Sequence, residues 1–166
     1  MRRLLLVPAL ALAVVAATTA PAGAGDQRTS VNGGVSVVMP HGWHVVRHIS
    51  YVTEPAPAAL ATFRVRLGRH SCECGMPNVV GFPRTGALLV VWEYRRIAHR
   101  DLRYFRPHAA RFRIGRSAIK EACAPSDGRT FRESGRGFQA EIYLGPAAPA
   151  SARAQIAAIL DSWRVN

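Results

Sequence analysis

Residues 151–165 read SARAQIAAILDSWRV, and their side-chain spacing is the strongest indication of the fold class. Ile156, Ile159, Leu160 and Trp163 recur at the spacing i, i+3, i+4 and i+7, so they share one side of an α-helix. Ser151 belongs to the residue types that cap helix N-termini well, and it predicts the start of this helix. An apolar stripe of this kind must be buried, and we expect it to lie on a sheet.

Three stretches before the helix have the pattern of β-strands. Residues 60–67 and 137–144 alternate apolar and polar side chains, as strands with one solvent-facing side do. Residues 86–94 form a near-continuous apolar run with β-branched and aromatic residues, which is typical of a central strand. Residues 130–133 and a turn at 134–135 complete a hairpin with the second stretch.

The remaining patterns are shorter. Residues 35–39 predict a strand, and after a Pro-His-Gly turn residues 43–48 resume an extended pattern, a hairpin-like opening in which Trp43 packs inward. Residues 26–34 are interpreted as a polar leading segment, and 112–114 as a short strand. Together these elements predict an α+β fold, a mostly antiparallel sheet with the C-terminal helix packed on one face.

Two short motifs in this framework resemble a known group. Residues 39–43, MPHGW, follow the first strand, and residues 159–165, ILDSWRV, close the chain. This arrangement resembles small secreted bacterial proteins with a Mog1/PsbP-like α/β/α sandwich, in which a Pro-x-Gly-Trp turn follows the first strand and a Ser-x-x-Val tail ends the last helix. The resemblance implies the fold. The group has adaptor-like and accessory roles without a shared reaction, so no site residue is transferred from it.

The N-terminal 24 residues predict a secretory signal peptide. Arg2 and Arg3 precede an apolar run from Leu4 to Val15, and the small residues at 22–24 predict cleavage after Ala24. A membrane-spanning helix would need about 20 apolar residues, more than this run holds. Of the 166 residues, 25–166 remain and are expected to form a single globular domain, secreted or in the periplasm or cell envelope, without a transmembrane anchor.

The protein is strongly basic. It has 22 Lys and Arg residues against 10 Asp and Glu residues, a net charge of +12, and cleavage of the signal peptide would leave +10. An exported protein of this charge meets anionic polymers, membrane surfaces or acidic proteins, whereas intracellular nucleic acid is not expected as a partner.

The basic residues concentrate in residues 95–116, where eight arginines face a single aspartate, Asp101, and three aromatic residues are interleaved, with Tyr94 directly before them. Guanidinium groups form forked hydrogen bonds with phosphate and carboxylate groups. We therefore predict a non-catalytic domain that binds an anionic envelope or extracellular partner through this surface; the alternative is a solvated face shaped by arginine-rich codon usage. The candidate anion-binding residues are Arg95, Arg96, Arg100, Arg103, Arg106, Arg111, Arg113 and Arg116.

The three cysteines of the sequence suggest an alternative function. In an exported protein two of Cys72, Cys74 and Cys123 are expected to form a disulfide, which leaves one thiol over. Pairing across to Cys123 would close a loop of about 50 residues and stabilise the fold by roughly 4 kcal/mol. Alternatively, His70 and the three cysteines form a metal site or a redox-active pair, although the Cys-x-Cys spacing is tighter than that of structural zinc sites.

No catalytic motif withstands inspection. Residues 99–102, HRDL, match the start of a kinase catalytic loop, but Arg106 stands where that loop needs asparagine, and no glycine-rich phosphate loop is present. His44 and His48 would lie about 13 Å apart along a strand, too far to share a metal ion. We therefore predict no cofactor.

Overall fold

The computed structural model describes residues 27–47, 49–51, 54–68, 78–95, 99–119 and 125–166. Within these residues, ten strands form a larger sheet of five strands, a smaller sheet of three and a two-stranded ribbon, and every pairing is antiparallel. The predicted α+β fold, with antiparallel sheets and a C-terminal helix packed on them, is confirmed. The resemblance to Mog1/PsbP-like sandwiches stays a prediction.

The larger sheet has the order β3-β6-β7-β9-β8. Its strands are β3 (His44–Val45), β6 (Ala58–Ala61), β7 (Ala87–Glu93), β8 (Asp127–Glu133) and β9 (Arg136–Leu144). The turn between β8 and β9 is tight because Ser134 and Gly135 both have positive φ, 50° and 75°. Such a two-residue turn matches the twist of the flanking strands, so the predicted hairpin is confirmed.

The smaller sheet joins the two ends of the described chain. Its central strand is β2 (Val35–Met39), which lies between β1 (Gln27–Val31) and β10 (Arg164–Val165). The ribbon consists of β4 (Ser50–Tyr51) and β5 (Glu54–Pro55). The strand predicted over residues 35–39 is confirmed with the same bounds.

The helix α1 (Ala150–Asp161) and the smaller sheet cover one face of the larger sheet. Ile156, Ile159, Leu160 and Trp163 are all fully buried, as the spacing predicted. They pack in one cluster with alternate residues of β7 and β9, such as Leu89. Burial of this apolar surface is the main driving force for docking the helix on the sheet.

The other face of the larger sheet is also buried. Leu88, Val90, Trp92 and Tyr143 form a second apolar cluster there, against side chains from outside the sheet such as Phe63. The run 86–94, predicted as a central strand, is therefore covered on both sides, which is the physical reason for its near-continuous apolar sequence.

Several sequence-based expectations about local structure are wrong. The strand predicted over residues 60–67 is β6, which ends at Ala61, because Thr62 binds the backbone of Ala87 through its amide and its hydroxyl and the chain then leaves the sheet. The leading segment contains β1, and residues 112–114 form no strand. The hairpin-like opening is also wrong, because β2 and β3 belong to different sheets, although Trp43 does pack inward.

The helix begins before the residue that predicted its start. Pro149 is the N-cap, with extended backbone, and it caps no amide with a side chain; Ser151 lies within the first turn. The backbone amide of Ala152 donates to the carbonyl of Pro149 at 3.0 Å, so helical geometry is established one residue before the serine. In the described part of the chain, no helix is long and apolar enough to cross a membrane.

Candidate functional site

The arginine-rich part of the chain lies beside the β8–β9 turn. A 3₁₀ helix, His99–Tyr104, places Leu102 and Phe105 over Gly137 of β9. An added Cβ at Gly137 would come within 3.2 Å of Leu102 and 3.3 Å of Phe105. The absence of a side chain at this position therefore lets the basic segment approach the sheet closely.

Residues 106–115 then follow the outer edge of β8. The amide of Arg132 donates to the carbonyl of Arg106 at 2.8 Å, and Arg129 donates to the carbonyl of Arg113 at 2.8 Å. The amide of Gly115 donates to the carboxylate of Asp127 at 2.6 Å. The segment thus extends along the edge of β8 from Arg132 to Asp127, about 17 Å at roughly 3.3 Å per residue.

The helix end fixes the same segment from the other side. The amide of Phe112 donates to the Asp161 carboxylate at 2.6 Å. Nε2 of His108 lies 2.8 Å from the carbonyl oxygen of Leu160; because that oxygen can only accept, Nε2 carries a hydrogen. Nδ1 of His108 faces Glu133 at 3.6 Å. The segment is therefore anchored although it has no regular secondary structure.

The predicted anion-binding residues divide into two groups. Arg95 pairs with Glu93 at 3.4 Å, and Arg100 lies 3.9 Å from Asp101, while Arg96 falls outside the described residues. Among the residues that the structure describes, no carboxylate lies within 4 Å of the other five, all of which are exposed. We call these five the arginine ledge: Arg103, Arg106, Arg111, Arg113 and Arg116.

Sequence reasoning missed the residues that the tertiary structure adds. Arg136 forms a two-pronged ion pair with Glu93, at 2.7 and 2.6 Å. Burial alone would raise the pKa of the Glu93 carboxyl, but the hydrogen bonds and charge of Arg136, with those of Arg95, hold it below its ordinary value. Arg132, by contrast, is exposed and has no carboxylate within 4 Å among the described residues. In the sequence, the only sign that Arg132 and Arg136 belong to the site is the arginine-rich composition of residues 129–136.

Two cavities lie beside the β8–β9 turn, and Leu102 and Gly135 line both of them. The larger has a volume of about 380 Å³ and is lined by Leu102, Pro107, His108, Arg132, Glu133, Ser134 and Gly135. The smaller has about 160 Å³ and is lined by Glu93, Tyr94, Arg95, Leu102, Gly135, Arg136 and Gly137. Because they share two lining residues, we treat them as one feature, the turn groove. It adjoins the arginine ledge.

A buried carboxyl group lies on the face of the larger sheet opposite the helix. Glu141 is only 4% exposed and accepts hydrogen bonds from the indole of Trp92 at 2.6 Å, the phenol of Tyr143 at 3.2 Å and the amide of Gln139 at 3.0 Å. The hydroxyl of Tyr94 in turn binds Gln139. Burial raises the pKa of Glu141, and the three donors oppose part of that rise. The alternating pattern of β9 predicted which face Glu141 occupies but not its burial.

The Glu141→Gln variant is expected to remove one pH dependence of stability. Because the folded-state pKa is raised above 4.5, the folded protein holds this proton where the unfolded chain has lost it, so stability falls as pH rises through that window. The glutamine cannot ionise. The stability of the glutamine variant relative to the natural protein should therefore increase as the pH rises through that window.

Urea unfolding at several pH values between 4 and 8 measures this effect in both proteins. The difference between the two curves isolates Glu141 from the histidines and the other carboxyl groups, which both proteins share. Parallel curves would show that Glu141 ionises as readily in the folded chain as in the unfolded one.

The cysteine-based predictions fall outside the described residues, as do His48 and the predicted signal peptide. This holds for His70, Cys72, Cys74 and Cys123, so the disulfide and its metal or redox alternative stay predictions. Within the described ranges, no three His, Cys, Asp or Glu side chains are grouped closely enough to hold a metal ion. No protein-family model, no curated protein and no solved structure matches this chain.

Proposed function

We propose that this protein binds a linear anionic polymer of the cell envelope or the extracellular space, and that the arginine ledge is the contact surface. The observation that carries the proposal is the exposure of five guanidinium groups without a carboxylate within 4 Å among the described residues. A paired arginine must give up its partner to bind an anion, whereas an exposed arginine without a carboxylate keeps most of its forked donors for it. In the ledge, Arg103 uses one donor for the hydroxyl of Tyr104, at 2.9 Å.

The backbone of the ledge supports recognition at fixed positions. Hydrogen bonds to β8 and α1 anchor residues 106–115, so the backbone positions of Arg106, Arg111 and Arg113 are set before a ligand arrives. Less conformational entropy is then lost on binding than if the whole segment had to become ordered.

The shape of the ledge favours a polymer over a membrane. The arginines follow a strand edge about 17 Å long, which matches an extended chain better than a plane. Proteins that lie on membranes usually bury apolar side chains among the lipids. Of the aliphatic side chains exposed in the described part, Leu67 and Val80 lie outside the ledge, on the segments joined by the Leu67–Val79 bridge. Tyr104 is exposed beside the ledge, but its ring and hydroxyl contact Arg103.

Substitution of ledge arginines by glutamine should weaken polyanion binding. We expect R103Q/R106Q/R111Q/R113Q to lower the affinity for fluorescently labelled polyphosphate about tenfold at 0.1 M salt, because four phosphate contacts are lost. If each contact releases about 0.7 counterions, the slope of log K against log salt should become shallower by about 3. Fluorescence anisotropy across a salt series measures both quantities.

The matched control removes the same charge elsewhere. Arg47, Arg64, Arg66 and Arg84 are also exposed, and none of them lies on the ledge. The R47Q/R64Q/R66Q/R84Q variant should lose less than about threefold in affinity for polyphosphate, since only long-range attraction changes and salt screens it. Equal losses in both variants would mean that net charge, not the ledge, determines binding. If the protein binds phosphatidylglycerol vesicles through the ledge and does not bind polyphosphate, the ligand of the ledge is a membrane surface and not a polymer.

A further inference from the structure

We propose that the turn groove is a binding subsite for a sugar unit that carries an acidic group. This inference rests on the proposed function in one respect only: the unit is taken to be part of the polymer that the arginine ledge holds. The larger cavity alone, about 380 Å³, falls within the range of roughly 300–1,000 Å³ in which small-molecule sites occur.

The lining of the groove is mixed in polarity, which is unlike the purely cationic ledge. Leu102 and Pro107 supply an apolar floor, and Arg132, Glu133 and Ser134 surround it with a cation, a carboxylate and a hydroxyl. A simple anion would be repelled by Glu133. A sugar presents apolar C–H faces together with hydroxyl groups that donate and accept, so it can use each of these side chains.

Glu133 retains capacity to accept hydrogen bonds. Its side chain is partly exposed, and the ring of His108 faces it at 3.6 Å, beyond ordinary hydrogen-bond distance. Because an ionised carboxylate only accepts, Glu133 suits the hydroxyl groups of a ligand. The bond from His108 to the Leu160 carbonyl fixes the wall of the cavity behind Glu133.

The ion pairs already present in the turn groove orient the ligand. In the smaller cavity both guanidinium groups already share the Glu93 carboxylate, Arg136 through two atoms and Arg95 through one, so both have a partner although the three side chains keep a net charge of +1. In the larger cavity Arg132 has no carboxylate within 4 Å among the described residues. The acidic group is therefore expected at Arg132.

An aromatic ring borders the end of the turn groove that lies away from Arg132. Tyr94 lines the smaller cavity and is 43% exposed. Its ring packs edge-on against Phe105 at 5.3 Å between centroids, and its hydroxyl binds Gln139. The ring is thus held in one position with part of its surface open, which suits contact with the apolar face of a sugar.

The test is an amide chemical-shift titration of the isotope-labelled protein with glucose 6-phosphate, glucuronate, glucose and inorganic phosphate. We expect saturable shifts at Leu102, Ser134 and Gly135, and an affinity for one of the two acidic sugars at least about fivefold above that for phosphate or glucose alone. Which acidic sugar binds more tightly identifies the acidic group. Equal affinity for inorganic phosphate, or shifts confined to other regions, would overturn the inference.

Two variants separate sugar recognition from charge. R132Q should weaken binding of the acidic sugars at least about fivefold. E133Q should lower the affinity for the acidic sugars, because the carboxylate that accepts hydrogen bonds from their hydroxyl groups is lost. The affinity for inorganic phosphate should stay unchanged or increase, because a repelling charge is removed. R64Q is the control at a remote exposed arginine. An E133Q variant that binds acidic sugars and phosphate equally better would show that the groove is a simple anion site.

The two proposals fail separately. If polyphosphate binding depends on the ledge but the groove shows no shifts with the sugars, only the present inference is overturned. If the groove responds to the acidic sugars but the ledge variant binds polyphosphate normally, the proposed function is overturned and the groove remains a site for a free sugar acid.

Discussion

Replacement of Trp163 by alanine is expected to lower the free energy of unfolding by about 3–5 kcal/mol, the usual cost of truncating a buried Trp or Phe. Trp163 is fully buried where the end of α1 meets the sheets. Its ring packs edge-on against Phe131 and Phe138, with centroid distances of 5.7 and 5.2 Å. Truncation would leave a cavity among rigid rings that cannot collapse into it. Urea unfolding followed by circular dichroism measures the loss without depending on tryptophan fluorescence.

Trp163→Phe is the matched control. Among the described residues the indole nitrogen of Trp163 is buried and has no hydrogen-bond partner, so the phenylalanine variant loses volume but no hydrogen bond. Trp163→Phe should lower the free energy of unfolding by about 1–2 kcal/mol, much less than Trp163→Ala does. A loss below about 1 kcal/mol for Trp163→Ala would mean that the helix is not held on the sheet through this residue.

Gly145→Ala should destabilise the fold by about 3 kcal/mol, toward the upper end of what overpacking costs. Gly145 follows β9, and a Cβ there would lie 2.2 Å from the carbonyl oxygen of Arg84 and 2.3 Å from that of Pro83. Both obstacles are backbone atoms, which cannot swing away as a side chain does. A shift would also disturb the hydrogen bonds from Gly145 to Gly86 and from Ala147 to Arg84, at 2.9 and 2.7 Å.

Gly128→Ala is the matched control for this substitution. At Gly128 the nearest atom to an added Cβ is the carbonyl oxygen of Ala140 at 3.8 Å, an ordinary contact. The change should be neutral or stabilising by up to about 1 kcal/mol, because alanine has less freedom to lose on folding. Thermal unfolding of both variants measures the contrast. Similar stabilities would show that the backbone around residues 83–84 yields easily.

The candidate site could be predicted from the sequence only in part. The run of arginines in residues 95–116 was visible in the order of the residues, and the seven that the structure describes are all exposed, as a solvated or binding face requires. Their pairing was visible only in part, because Glu93 lies two residues before Arg95 in the chain, whereas Arg136, which binds the same carboxylate, comes from the β8–β9 hairpin. Arg132 and Glu133 join the site only because the basic segment folds back along β8.

Local chemistry and tertiary contact thus account for different parts of this protein. Local sequence patterns are enough to predict α1, the central strand β7 and the β8–β9 hairpin, because side-chain periodicity and turn residues act over a few neighbouring positions. Tertiary structure decided the pairing of β10 with β2, the burial of Glu141 and the closing of the turn groove. Each of these depends on segments far apart in the chain, whose association is decided by how much apolar surface the whole fold can bury.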